Sequence, residues 1–227
     1  MFCPIDEGYM SEPIIFLQGM SLVLLGDFNP KIFQPAWFVA QKLIGEKEGD
    51  SADIKAITAD IVIFTMDWLR VQVSRERFQL STQQEPYYEM MRDLLVGTFT
   101  ILEHTPVHSM GINLDYHYRM PSTNSWHELG HKFAPKEPWA EVLDKPGLLN
   151  LTMQSIRENR HPGLVNVSVA PSVKVNPGVC IVVNDHYEVE VSKSSLGCKR
   201  IMSILDDVWS SSVKNSKSIS QKILEVV

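Results

Sequence analysis

Cysteine is scarce in this chain and carries no pattern. Cys3, Cys180 and Cys198 form no CxxC pair and leave one over, which excludes a disulfide framework and fits a reducing compartment. Long apolar runs are missing, and none reaches the ~20 residues that span a bilayer. Residues 1–30 hold Asp6, Glu7, Glu12 and Asp27 but no Lys or Arg, which is the wrong start for a secretory signal. Positive charge is in the minority. With 21 Lys and Arg against 27 Asp and Glu, the formal net charge is −6, which disfavours a broad nucleic-acid-binding face or a polybasic membrane anchor. No low-complexity tract, tandem repeat or Pro/Gly-rich linker appears. There is also no GxxxxGK[ST] or GxGxxG phosphate loop and no GxSxG elbow.

What remains is a chain of 227 residues, 44% hydrophobic, long enough to bury a core without staples. Residues 1–19 read as an irregular lead-in. Met20–Leu25 is a short apolar run ended by Gly26-Asp27-Phe28-Asn29-Pro30, a buried strand and its turn. Pro35 opens a helix that carries Trp37, Phe38, Ala40, Leu43 and Ile44 and stops at Gly45, before a charged loop to Asp53. Ala59–Met66 reads as a buried strand. Leu69, Val71 and Val73 alternate with polar residues as a second, and the alternation resumes out of phase at Phe78 and Leu80, which places a turn or bulge near Arg75-Glu76. A helix from Tyr87 to about Leu102 has one apolar face, and His108–Arg119 is a strand. This order, β-α-β-β-α-β over residues 20–120, predicts an α+β fold with a ferredoxin-like antiparallel half.

Residues 121–227 predict a second α+β half sharing the core. Short helices are expected at Trp126–Phe133 and about Pro138–Leu143, and strands at Leu148–Arg157, Leu164–Val169, Val179–Val183 and Tyr187–Val191. Turns fall at Asn176-Pro177-Gly178 and Asn184-Asp185. A long C-terminal helix runs from Lys199 to about Leu224, its middle diluted by serines 210–212, 216, 218 and 220, which read as solvent-facing or a partner surface.

One motif carries chemistry. His127-Glu128-Leu129-Gly130-His131 is a literal HExxH, which on a helix sets two imidazoles on one face for Zn²⁺ with Glu128 as general base, as in the zincin metallopeptidases that it resembles. The competing reading is structural. Ser125 and Glu128 have capping-box spacing, which engages Glu128 with the helix start. Pro135 stops the helix soon after His131, and Lys132 sits beside the second histidine. Ala134 and Glu137 stand where an extended metzincin pattern has Gly and His. Glu141, Asp144 and Glu158 are candidate third ligands that no spacing selects, and five of the 7 histidines fall between His104 and His131. The structural reading is preferred, so no metal or other cofactor is expected, with zinc as the alternative.

Asn113, Asp115, His117 and Arg119 form the polar side of a strand, either a solvated face or a partner surface. Trp126 and Trp139 bracket an aromatic, Pro-containing connector that is either an interface or a loop pinned to the core. Arg70, Arg75, Arg77 and Arg119 could meet at a small anion. Cys180, in an apolar strand, is expected to be inert, and Cys198 precedes a helix. Asp206-Asp207 reads as a solvated pair near a helix start.

Over the whole chain, SLVLLGDFNPKIFQPAWF (21–38), RVQVSRERFQL (70–80), GINLDY (111–116) and WHELGHKFAPKEPW (126–139) resemble a sporadically distributed family of bacterial proteins with no assigned activity. The resemblance implies no catalytic residue. It makes the HELGH segment part of a structural W-H-x-x-G-H connector, and the sporadic distribution suggests a mobile-element or antiphage-defence setting. The resulting expectation is a cytoplasmic, non-enzymatic interaction protein, a subunit or antitoxin-like partner in a bacterial complex, with no nucleic acid or membrane partner. Contacts would run through Asn113, Asp115, His117, Arg119, Trp126 and Trp139, and a homo-oligomer is compatible with this. The alternative is a zinc-dependent hydrolase using His127, His131 and Glu128.

Overall fold

The computed structural model describes residues 12–157, 160–189 and 197–225. Its strands are β1 (Ile14–Gly26), β2 (Asp53–Ile57), β3 (Ile61–Thr65), β4 (Arg70–Ser74), β5 (Arg77–Thr82), β6 (Val107–Arg119), β7 (Leu151–Arg157), β8 (Gly163–Pro171) and β9 (Gly178–Glu188). Its helices are α1 (Pro35–Ala40), α2 (Glu46–Asp50), α3 (Tyr88–Ile101), α4 (Thr123–Phe133), α5 (Glu137–Ala140) and α6 (Gly197–Leu224). The strands form one sheet in the order β2-β3-β4-β5-β1-β6-β9-β8-β7, so a single α+β sheet runs through both halves of the chain. Every neighbouring pair is antiparallel.

Alternation decides which side of that sheet is dry. Val62, Phe64, Val71, Val73, Phe78, Leu80, Leu22, Leu24, Ile112, Leu114, Ile181 and Val183 are buried on one face. α3 covers it with Met91, Leu94, Leu95 and Phe99, and α6 with Ile201, Leu205, Val208 and Trp209. Each fully buried side chain of this kind contributes roughly 1.5–3 kcal/mol. Phe28, Phe33, Phe78 and Phe99 add a cluster of edge-on and tilted rings with centroids 5.0–6.4 Å apart.

The C-terminal helix departs from expectation in its middle. Ser212, Ser216 and Ser220 are all buried, spaced four apart on the face that meets the sheet. Tyr118 Oη and Ser220 Oγ are hydrogen-bonded at 2.8 Å. The small side chains let the helix lie close against the bulky tyrosines of the sheet, so these serines are neither solvated nor a partner surface. Ser210 and Ser211 remain exposed.

Other differences have local causes. β1 begins at Ile14, inside the expected lead-in, because Ile14, Ile15 and Leu17 find their partners at Arg119, Tyr118 and His117, far along the chain. The first eleven residues lie outside the described ones. The helix opened by Pro35 stops at Ala40, and Lys42 then takes a positive φ of 58°. Within the expected charged loop, Glu48 caps α2 by accepting from Gly45 N at 2.8 Å, and β2 follows where no strand was expected. The ferredoxin-like half does not describe the first six strands: β1 lies between β5 and β6, antiparallel to both, whereas a split βαβ unit needs parallel neighbours. Asn184-Asp185 is no turn, since β9 runs unbroken through it. The end of the strand expected at Tyr187–Val191 falls partly outside the described residues.

Candidate functional site

Directly opposed residues on antiparallel strands share a face. Following the register from edge to edge gives one residue per strand on the side away from the core: Asp53, Thr65, Arg70, Ser81, Ser21, Asn113, Asn184, Asn166 and Gln154. All are polar. Four of them are amides that donate in one direction. Gln154 Nε2 donates to Asn166 Oδ1 at 2.8 Å, Asn166 Nδ2 to Asn184 Oδ1 at 3.0 Å, and Asn184 Nδ2 to Asn113 Oδ1 at 2.7 Å. Asn113 Nδ2 ends the run on the Ser21 carbonyl at 3.3 Å. The buried faces of α1, α3, α4 and α6 all join the core on the other side. Among the described residues this polar row is half-exposed or exposed, while His117, Ser109 and Val23 on the same side are buried.

One register step along, Asp115 lies over Gly19, where a Cβ would stand 2.7 Å from Asp115 Oδ1. Glycine at this position is what makes room for the carboxylate, and burial raises its pKa above the ordinary carboxylate value. His117 is 6% exposed. Its Nδ1 sits 2.8 Å from Ser172 Oγ, and Ser172 Oγ also accepts from Lys174 N at 3.1 Å and Val175 N at 3.2 Å. With both lone pairs engaged, the Ser172 hydroxyl donates to Nδ1, which leaves the ring proton on Nε2. Nε2 faces Cys180 Sγ at 3.7 Å and Asp115 Oδ2 at 3.8 Å. Burial lowers the His117 pKa and pushes the Cys180 thiol up to about 11, so the group is a neutral imidazole beside a protonated thiol. That is the chemistry of a pin holding the loop between β8 and β9, and it lacks an activated nucleophile.

Arg119 is exposed and lies over the Phe16 ring at 5.0 Å. The four arginines do not meet. Arg70 contacts Gln72, Arg75 pairs with Asp60 at 2.6 Å, and Arg77 donates to Gln79. Between Arg70 and Asp115 lies a polar cleft of about 400 Å³, also lined by Ser21, Gln79, Ser81 and Gln84.

The HELGH segment is on α4, but its cap lies one turn earlier than the spacing predicts. Ser122 is the N-cap, accepting from Ser125 N at 3.1 Å, while Ser125 Oγ accepts from Ser122 N at 3.2 Å. The expected Ser125–Glu128 box does not form, because Ser122, with extended backbone, competes successfully for the helix start. Glu128 is exposed, as are His127 and His131. The His127 ring lies against Trp126 at 5.0 Å, and His131 Nε2 is 3.3 Å from Glu137 Oε1. Among the described residues, no group of three or more His, Cys, Asp or Glu side chains is arranged to hold a metal ion. Leu129 is buried, Trp126 and Phe133 pack on the core, and Trp139 is 53% exposed. Lys136 Nζ donates to the Gly130 and Ala134 carbonyls at 3.0 and 2.6 Å, closing the C-terminal end of α4. A cleft of about 240 Å³ separates α4 from Pro146-Gly147-Leu148 and the ends of β8 and β9, with His127 in its wall.

Sequence reasoning missed several polar partners. Asn166, Asn184, Gln154 and Ser172 complete the open-face network, and their only local signal was alternation with apolar neighbours. Asp185, in a dipeptide with turn propensity, is 1% exposed and ion-paired with Arg157. Asp207 is bound by His161 at 2.8 Å, which holds its carboxyl below the usual range and ties α6 to the segment before β8. Cys198 is buried against the Phe99 carbonyl, and burial pushes its thiol up to about 12.

No protein-family model matches the chain, and no curated protein matches it.

Proposed function

We propose that this protein is a non-enzymatic interaction protein, a subunit or antitoxin-like partner in a bacterial complex, which binds a protein through the open side of its sheet. The carrying observation is the polar row that crosses all nine strands on the side that none of the buried helix faces covers. A sheet with one dry and one wet face is ordinary. The distinguishing feature here is that the wet face is ordered by side-chain hydrogen bonds from Gln154 to Ser21. Pre-ordered polar groups lose less freedom when a partner docks on them. Asn113, Asp115 and Arg119 are the contact residues on this face, with His117 as a buried positioning group beneath. Exposed Trp139 supplies an aromatic anchor from the 126–139 connector. The resemblance to the sporadically distributed bacterial family supports a defence-related complex. A net charge of −6 disfavours nucleic acid as the partner.

The test is co-purification of the tagged full-length chain from its native cells. Arg70→Glu and Arg119→Glu, both exposed on the open side, are expected to lose the partner, whereas Lys214→Glu on the outer side of α6 retains it. A partner lost with Lys214→Glu but kept by the two arginine variants would overturn the reading.

A further inference from the structure

We infer that two copies of this chain associate through β7, pairing antiparallel about a two-fold axis at Gln154, so that two nine-stranded sheets become one. The inference uses an edge of the sheet rather than its open face and stands independently of the proposed partner.

It begins with the difference between the two edges. β2 has Asp53 and Lys55 within five residues, ion-paired at 2.5 Å, and its register shifts between Ile54 and Ala56. Charge and irregular register are the devices by which an edge strand avoids adding another. β7 has neither. Its seven residues keep regular register with β8 from Leu151 to Arg157, and its one charge, Arg157, is taken by Asp185 beneath the sheet. Met153 and Ile156 are 64% and 71% exposed. A regular edge whose one charge is sequestered and whose apolar residues are exposed is a template for strand addition.

The second copy is selected by self-complementarity. Paired residues on antiparallel strands share a face, so a two-fold axis normal to the sheet must fall on a residue. The amide run reaches the edge at Gln154, which spends one of its two amide hydrogens on Asn166. An axis at Gln154 brings two such amides together, each with a hydrogen and a carbonyl for the other, and carries the polar row through both sheets. It also sets Thr152 opposite Ile156, and Met153 opposite Ser155.

Sedimentation velocity of the full chain over a concentration series tests this. The mass is expected to rise reversibly from 25.8 kDa toward twice that value. Gln154→Lys, which places two ammonium groups at the axis, is expected to stay monomeric while keeping a cooperative melting transition that no longer depends on protein concentration. Opposed Cα atoms about 4.5–5.5 Å apart suit a disulfide, so oxidised Gln154→Cys should run as a linked dimer on a non-reducing gel. Ser155→Cys should not. A wild-type chain monomeric throughout, a dimer untouched by Gln154→Lys, or linkage through Ser155→Cys instead would overturn the inference.

Discussion

Arg157 on the edge strand β7 reaches beneath β8 to pair with Asp185 on β9, and the two charges are 15% and 1% exposed. Asp185 thereby stands among Ile181, Val183 and Tyr187 in an otherwise apolar stretch of the core. Removing one partner leaves the other buried without compensation. Asp185→Ala or Arg157→Ala should therefore destabilise the fold by about 3–5 kcal/mol. For a chain of this size that lowers the melting temperature by roughly 10 °C. Replacing both together with Leu and Met should cost far less, which a thermal or urea melt of the three variants checks.

The serine stripe of α6 makes an opposite pair of predictions at one position. Ser216 is 1% exposed and its hydroxyl has no hydrogen-bond partner. Ser216→Ala removes an unsatisfied buried polar group and should be neutral or stabilising by up to about 1 kcal/mol. Ser216→Leu forces extra volume between α6 and the sheet and should cost about 1–3 kcal/mol. Urea denaturation midpoints at constant slope separate the two.

The His117 pin makes stability depend on pH in a fixed direction. Its folded pKa is lowered by burial, so the imidazole stays neutral while an unfolded chain takes up a proton near the ordinary value of about 6.5. The unfolded state then binds more protons, and stability falls as the pH drops below about 6.5 and is unaffected above it. Asp115 acts in the other sense: its raised pKa lets the folded state take its proton first on acidification. His117→Gln should flatten the decline of melting temperature as the pH falls below about 6.5, and Asp115→Asn should steepen the decline at more acidic pH, toward the ordinary carboxylate range.

Local periodicity carried much of the fold. The alternation of Val71, Val73, Phe78 and Leu80 appears as β4 and β5, and the apolar face of residues 87–102 appears as α3. The strand bearing Asn113 to Arg119 is β6. What failed depended on partners distant in the chain. Ile14 extends β1 only because Arg119 is there to pair with it, and Asn184-Asp185 is strand because β6 and β8 flank it on both sides. Turn propensity could not register either neighbour. The serines of α6 read as polar dilution, because burial against tyrosines of the sheet leaves no trace in helical periodicity. Ser122 and Ser125 both have the chemistry of a cap, and the backbone chose the earlier one. The polar residues of β6 were visible, but the row they belong to emerges only when nine strands are placed in register.

The claim that the open side of the sheet is the binding surface is tested most directly by photocrosslinking in the native cells. A photoreactive residue at Arg70, Gln79 or Arg119 is expected to give a discrete adduct of higher mass, while one at Lys214 on the outer side of α6 gives none. Adducts formed from Lys214 and from none of the sheet positions would contradict the account.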